Sequence, residues 1–331
     1  MRVLIVGAGA VGQTYARALL KADCDVVFYV REKYRAALES PGTLPFYPLN
    51  ERARTDPDVL GGYGVVSSLD EVAASDWDAV WLCVSSTALQ AGWFDAFAKA
   101  IDNAVVVSLQ PGLIDPDWLH ARVPRERLVS GMIPFIAWQA PLPGEHLSPP
   151  GIMVWHPPLM ATPLSGPLAA VTEQATLLRR GGLKVRLVAS AGEGGATASA
   201  VLLSIVAALE GAGWRFSELR RANHMRRAIY AKNQALAVAA AVHGTRAPWV
   251  LRMLGPWMVR LATRIAPLVV PFDLERYLAY HFRKVGDQTR ANLALWRDGG
   301  AQRGLPVDAI AALEATLRAV DARERAAAEA P

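Results

Sequence analysis

Three glycines, Gly7, Gly9 and Gly12, stand in the spacing GxGxxG, directly after the apolar run Val3–Val6 and at the start of a helical pattern running Val11–Ala22. That spacing has a mechanical reading. The first glycine permits a tight turn, the second lets the backbone approach a pyrophosphate, and the third lets helix and strand pack closely. A pyrophosphate there rests on the amides of the helix N-terminus, so Gly7, Ala8, Gly9, Ala10, Val11 and Gly12 form the expected cradle of a dinucleotide. Where an NAD-binding unit carries a carboxylate after its second strand, this chain carries Arg31. A guanidinium pairs with a 2′-phosphate through two parallel hydrogen bonds, and Lys33 adds a second positive charge. NADPH is therefore the expected cofactor, while Glu32, one place late for the ribose, leaves NADH open.

Two further positions fall at strand ends that normally line a nicotinamide ribose: Val84 and Ser85 after the fourth strand, and Gln110 after the fifth. Ser85 and Gln110 read equally well as plain turn residues. In the second half, His281, Lys284 and Gln288 are spaced i, i+3 and i+7, one face of a helix, and all three can donate hydrogen bonds. Reduction of a ketone by hydride builds negative charge on its oxygen, and a keto acid also needs a cation for its carboxylate. The three residues suit that task, or else form a polar surface. Lys232 and Asn233 make another polar patch on an apolar helix, expected at an edge that reaches solvent, with a deeply packed patch facing the cleft as the alternative. His120, His146, His156 and His224 have no metal-like spacing, and no metal is expected.

The elements that must position these residues alternate in the first half. Strands are expected near Val3–Val6, Val26–Val30, Val65–Ser67, Ala79–Val84 and Val105–Ser108, and later near Leu128–Ile136, Ile152–Trp155 and Val185–Val188. The fold class is α/β: a doubly wound parallel Rossmann sheet, followed by an all-α domain. After Gly192, Gly194 and Gly195 the pattern changes to helices over Thr197–Glu210, Glu218–His243, a proline-broken 249–270, Leu274–Trp296 and Val307–Ala328. Residues 1–189 are expected to bind the cofactor and 190–331 to carry substrate and dimer contacts, with the glycine cluster as a hinge and the active cleft between the domains. The stretch from Trp249 to Tyr280 reads as core of the helical domain, or as an apolar lid or subunit interface.

Composition narrows the classes of function. The chain has 331 residues, is 52% hydrophobic and 20% charged, and carries a net charge of +5, a profile of folded proteins. The cluster Arg220, Arg221, Arg226 and Arg227 reads as a solvated helix face, and without aromatic platforms beside it no nucleic-acid partner is expected. Arg252, Arg260 and Arg264 with Pro256 and Pro267 interrupt the apolar stretch that could otherwise span a membrane, so no membrane association is expected. The chain opens directly into a strand, and Cys24 and Cys83 read as reduced packing residues, so a cytoplasmic location is expected.

The GAGAVG opening, Arg31 after the second strand, and a helical second half with a GLPV turn before its last helix resemble the ketopantoate reductase (2-dehydropantoate 2-reductase) family. The resemblance is best over residues 1–112 and about 281–320. It implies NADPH-dependent reduction of a small 2-keto acid to the 2-hydroxy acid, with a lysine on the first helix of the second domain as proton donor. The chain departs from the family pattern at that site. Ser85 stands where the family has a lysine, Pro111 replaces its asparagine, the helix Thr197–Glu210 holds no lysine, and the stretch that carries the family's glutamate is shortened between Asp287 and Gly304. Aligned with the family, Lys284 takes the place of a substrate-contacting serine, and Val285 that of the methionine after it. Lys284 is therefore expected to bind or protonate substrate, assisted by His281 and Gln288. The departures leave open an imine or bulkier ketone as substrate, or an NADP(H)-sensing protein without catalysis.

Overall fold

The computed structural model describes residues 1–40, 44–50, 56–110, 112 and 115–329; Pro111, where the family pattern has asparagine, lies outside them. The chain divides into two compact units, one over Met1–Gly192 and one from Glu193 onward.

The first unit holds twelve strands among its described residues: β1 (Arg2–Val6), β2 (Asp25–Tyr29), β3 (Pro45–Pro48), β4 (Asp58–Val59), β5 (Tyr63–Val66), β6 (Ala79–Leu82), β7 (Val105–Ser108), β8 (Leu128–Gly131), β9 (Ile136–Ala140), β10 (Gly151–Trp155), β11 (Thr162–Ser165) and β12 (Val185–Leu187). Eight of them form one sheet in the order β12-β11-β8-β7-β6-β1-β2-β5, parallel throughout except where β11 meets β8. The run β5-β2-β1-β6-β7-β8 is the doubly wound order of a Rossmann sheet, and it reverses beside β1. Alternation along β1 explains why the sheet is covered on both faces. Val3 and Ile5 enter one core with Tyr15 and Leu19 of the helix Ala10–Lys21, while Leu4 and Val6 enter the other with Phe94 and Phe97.

The remaining strands, in the order β4-β3-β10-β9, make a second, smaller sheet. Its strands β9 and β10 lie on the helix Ala10–Lys21, and Phe46, Ile152 and Val154 join the core that Tyr15 occupies. This sheet corrects two expectations. The expected single strand Leu128–Ile136 is two strands in different sheets: β8 ends at Gly131, which is pressed on Leu164 of β11, and after an interval containing Pro134 the chain enters the small sheet as β9. The strand at Ile152–Trp155 belongs to the small sheet, paired with β3 and β9. Strands β3 and β11 escaped notice because they contain Pro45, Pro48 and Pro163, which lower strand propensity everywhere except at edges and ends.

The second unit is helical among its described residues: Ala191–Gly211, Phe216–Leu219, Ala222–Val242, Trp249–Met253, Pro256–Val269, Leu274–Lys284, Gly286–Ala301 and Asp308–Glu329. Its centre is the packing of Ala222–Val242 against Gly286–Ala301 and Asp308–Glu329, with Met225, Leu236, Leu293, Trp296, Ile310 and Leu313 essentially inaccessible. Gly192, Gly194 and Gly195, expected in a hinge, sit in the first turns of the helix Ala191–Gly211. The Ala191 amide there donates to Ser165 Oγ at 2.8 Å.

Candidate cofactor site and the polar faces of the helical unit

The turn between β1 and the helix Ala10–Lys21 is built as the glycine spacing requires. Gly7 has φ +97, a conformation that side chains resist, and its amide donates to Tyr29 O at 3.0 Å. A Cβ on Gly7 would lie 2.9 Å from Val84 Cγ1, and one on Gly12 only 2.0 Å from Gly7 O. Gly9 is different: nothing lies within 4 Å of the place where its Cβ would be. Open space faces the middle glycine, and the helix it precedes has neither a side-chain cap nor a carboxylate in its first turn. Its first amides are left for a ligand, where helix partial charge favours an anion. Gln13, which carries no motif signal in the sequence, braces the loop by donating from Nε2 to Ala8 O at 2.8 Å.

At the end of β2 the charges sort themselves. Arg31 precedes a 3-10 turn, Glu32–Tyr34, and its Nη2 donates to Tyr34 Oη at 3.1 Å. The Lys33 ammonium lies 5.1 Å from the centre of the Tyr34 ring. Positive charge from Lys33 and Arg31 holds the exposed Tyr34 phenol below its ordinary range. Glu32 turns away from this group and accepts from Ser67 Oγ. Glu71 also accepts from the Ser67 and Ser68 amides and from Arg35, which hold its carboxyl down to about 2. Both nearby carboxylates thus have partners within the protein. Among the described residues neither Arg31 nor Lys33 meets one.

The strand ends beside β1 complete the turn's surroundings. Val84 flanks Gly7. Ser85 caps the helix Ser86–Leu89 by accepting from the Ala88 amide at 3.2 Å. Gln110 is buried, accepting from Ser108 Oγ at 2.8 Å and from the Leu109 amide at 3.1 Å, and donating to Leu82 O and Val84 O at 3.0 and 2.8 Å. Its amide clamps the ends of β6 and β7 and so fixes the loop that holds Val84. The free cysteines Cys24 and Cys83 have thiols raised by burial.

In the second unit the helix expected over Leu274–Trp296 is interrupted. Leu274–Lys284 ends at Lys284, Val285 takes φ -114 and ψ 27, and Gly286 begins the next helix. A β-branched residue followed by glycine is a weak point for a helix. His281 and Lys284 remain one turn apart on the first helix, and Gln288 belongs to the second, so the three do not share one continuous face. Lys284 is exposed and Gln288 half-buried. His281 stacks on Tyr277 with ring centres 5.4 Å apart. Burial and the neighbouring Lys284 charge lower it to about 4, so its imidazole is neutral at pH 7, able to donate one hydrogen bond.

Lys232 corrects the expectation of a solvent edge. It is wholly inaccessible, and its ammonium donates to the carbonyls of Leu251, Arg252 and Leu254 at 2.5, 3.4 and 2.9 Å. It caps the C-terminus of the helix Trp249–Met253, where a cation is favoured. Burial lowers its pKa. Its neighbour Asn233 is exposed. The signal in the sequence was only a lysine among alanines. Among the described residues no group of three or more His, Cys, Asp or Glu gathers closely enough to hold a metal.

Residues 3–146 match the sequence profile of the ketopantoate reductase PanE/ApbA family. No curated protein matches the sequence. Among solved structures, a PanE/ApbA family ketopantoate reductase from Ralstonia eutropha JMP134 is similar with a TM-score of 0.71 at 21% identity, over 98% of this chain and 100% of that one. D-mandelate dehydrogenase, solved with NADH and anilino(oxo)acetate, gives a TM-score of 0.72 at 15% identity over 98% and 99% of the two chains. A 2-dehydropantoate 2-reductase from Geobacter metallireducens GS-15 gives 0.68 at 18% over 96% and 99%. At these identities the likeness to solved structures is one of fold, and the profile match lies in the unit that holds the glycine turn.

Proposed function

We propose, from the resemblance to the ketopantoate reductase family and the geometry of the glycine turn, that this chain is an NADPH-dependent oxidoreductase reducing the ketone of a small 2-keto acid. The observation that carries the reading is the open, carboxylate-free turn at Gly9 with Arg31 and Lys33 beside it, Glu32 being held by Ser67. NADPH, when bound, supplies the hydride. The residues of the chain bind and orient: the amides that follow Gly9 hold the pyrophosphate, and Arg31 and Lys33 hold the 2′-phosphate.

Lys284 either pairs with the substrate carboxylate or gives the ketone oxygen its proton, so that a C=O gains one hydride and one proton and becomes a CH–OH. The neutral His281 and the Gln288 amide serve as additional donors to the growing oxyanion. In the assay that tests the reading, NADPH absorbance is followed with ketopantoate and with bulkier 2-keto acids, after titration has shown that NADPH binds. Turnover in the ordinary enzyme range of about 1 to 1,000 per second supports it, and Lys284→Ala then lowers kcat/KM by about 100-fold. Bound NADPH that none of these ketones oxidises removes keto-acid reduction.

One observation favours a second reading: the helix Ala191–Gly211 carries no lysine. An imine formed from a keto acid and an amine becomes an iminium that is already charged, and its reduction needs less proton donation. Product identification with an amine and a keto acid supplied together distinguishes the two, and a protein that binds NADPH but oxidises it with neither substrate would be a sensor.

A further inference from the structure

The stretch from Trp249 to Tyr280 reads in sequence as core first, with a lid or subunit interface as alternatives, and the structure places much of its first part, 249–269, outside. Trp249 is 73% exposed, Trp257 66% and Leu268 84%, with Met253, Leu261 and Ile265 also on the surface. This is not a core helix left undocked. Pro256–Val269 has its own inner side, where Val259 and Thr263 are buried, and it packs on Ala222–Val242. Arg260 donates to Arg220 O at 3.2 Å, and Arg220 donates back to Thr263 O at 3.3 Å. The short helix before it is fixed by the buried Lys232 ammonium on three of its C-terminal carbonyls. The outer face is therefore a second apolar surface, held in place by the first.

Its charge selects what covers it. From residue 219 to 272 the sequence contains no aspartate or glutamate, whereas Arg246, Arg252 and Arg264 are exposed in or beside the apolar face. A two-fold dimer through this face would bring like-charged arginines together, with no carboxylate from residues 219–272 to separate them. An anionic lipid surface offers both what the apolar side chains need and what the arginines need. Tryptophan suits the headgroup level, and 14 residues of helix span only about 21 Å, too short to cross a hydrocarbon core of about 30 Å. We propose that the 249–269 segment lies in the surface of a membrane rich in anionic lipid, apolar face down and arginines at the phosphates. This goes beyond the oxidoreductase reading and does not depend on it.

The test is co-sedimentation of the full chain with vesicles of phosphatidylglycerol and phosphatidylcholine against vesicles of phosphatidylcholine alone, with sedimentation velocity of the lipid-free protein. Binding to the anionic vesicles that falls as salt is raised is expected. The double variant Trp257→Ser, Leu268→Ser should lose roughly tenfold or more, and Arg252→Gln and Arg264→Gln about fivefold each. All four side chains are exposed, and unchanged circular dichroism and urea midpoints confirm that the variants fold. Equal binding to both kinds of vesicle overturns the proposal. A dimer that the double variant converts to monomer, with no vesicle binding, overturns it in favour of a second copy of the chain. A raised KM for keto acid without vesicle binding overturns it in favour of a substrate-facing role.

Discussion

Two glycine clusters precede two long helices in this chain and come to opposite ends. Gly7, Gly9 and Gly12 form a turn in which one glycine has positive φ, one borders open space and one is pressed on a carbonyl. Gly192, Gly194 and Gly195 continue as ordinary helix. The first cluster is fixed by its spacing against a strand and a helix that must pack closely. The second follows β12 (Val185–Leu187) without the tight strand-to-helix spacing, so nothing fixes its backbone and the helix Ala191–Gly211 absorbs it. A glycine run is thus informative where the backbone on both sides is already specified, and ambiguous where it is not.

That contrast can be broken by substitution. Gly12→Val places a side chain where only 2.0 Å separates a Cβ from Gly7 O. Loss of NADPH binding and destabilisation by more than about 3 kcal/mol are expected, read by cofactor titration and urea melts. Next in size, Arg31→Ala should weaken NADPH roughly 10- to 100-fold while leaving NADH nearly unchanged. Equal losses for the two cofactors would remove the 2′-phosphate from the role of Arg31.

A pH effect separates the helical unit from the cofactor turn. His281 is lowered to about 4 in the folded protein from its ordinary 6.5. Between those values the unfolded chain binds more protons, so this group makes stability rise with pH from about 4 to 6.5 and fall on acidification. Its contribution is roughly 1–3 kcal/mol, and urea midpoints for the native chain and His281→Phe should keep a constant difference above about 6.5, the native chain then losing stability relative to the variant as pH falls through the window to about 4. The smallest effect belongs to the second glycine cluster. Gly194 is an exposed helical position, and Gly194→Ala should raise stability by about 0.5–1 kcal/mol. A loss instead would show that the cluster needs its glycines.

Much of the Rossmann half was legible because local rules and the global fold agree there. Apolar runs of the right length mark strands buried on both faces, and the glycine spacing marks the turn where the sheet order reverses. The small sheet was not legible, since its strands carry prolines and pair with segments far away in sequence. Among the candidate site residues, the spacing marked where the glycine turn and the positive charge of Arg31 fall. The roles of Gln110 and Ser85 could not, because a side chain that clamps two strands and one that faces a ligand look alike in sequence.

The helical half shows the limit most clearly in its lysines. Lys284 and Lys232 are both lysines on helices with apolar neighbours, yet one is exposed and the other is inaccessible with three carbonyls on its ammonium. By itself the sequence determined the alternation of strands and helices, the glycine turn and the positive charge after β2, because each depends on residues close together in the chain. Only the tertiary structure decided that Glu32 turns to Ser67, that Lys232 is buried, that the helix breaks at Val285, and that the apolar segment 249–269 faces outward. Those outcomes depend on which distant backbone groups need a partner and on which face of a helix its neighbours leave uncovered, and neither is written in local spacing.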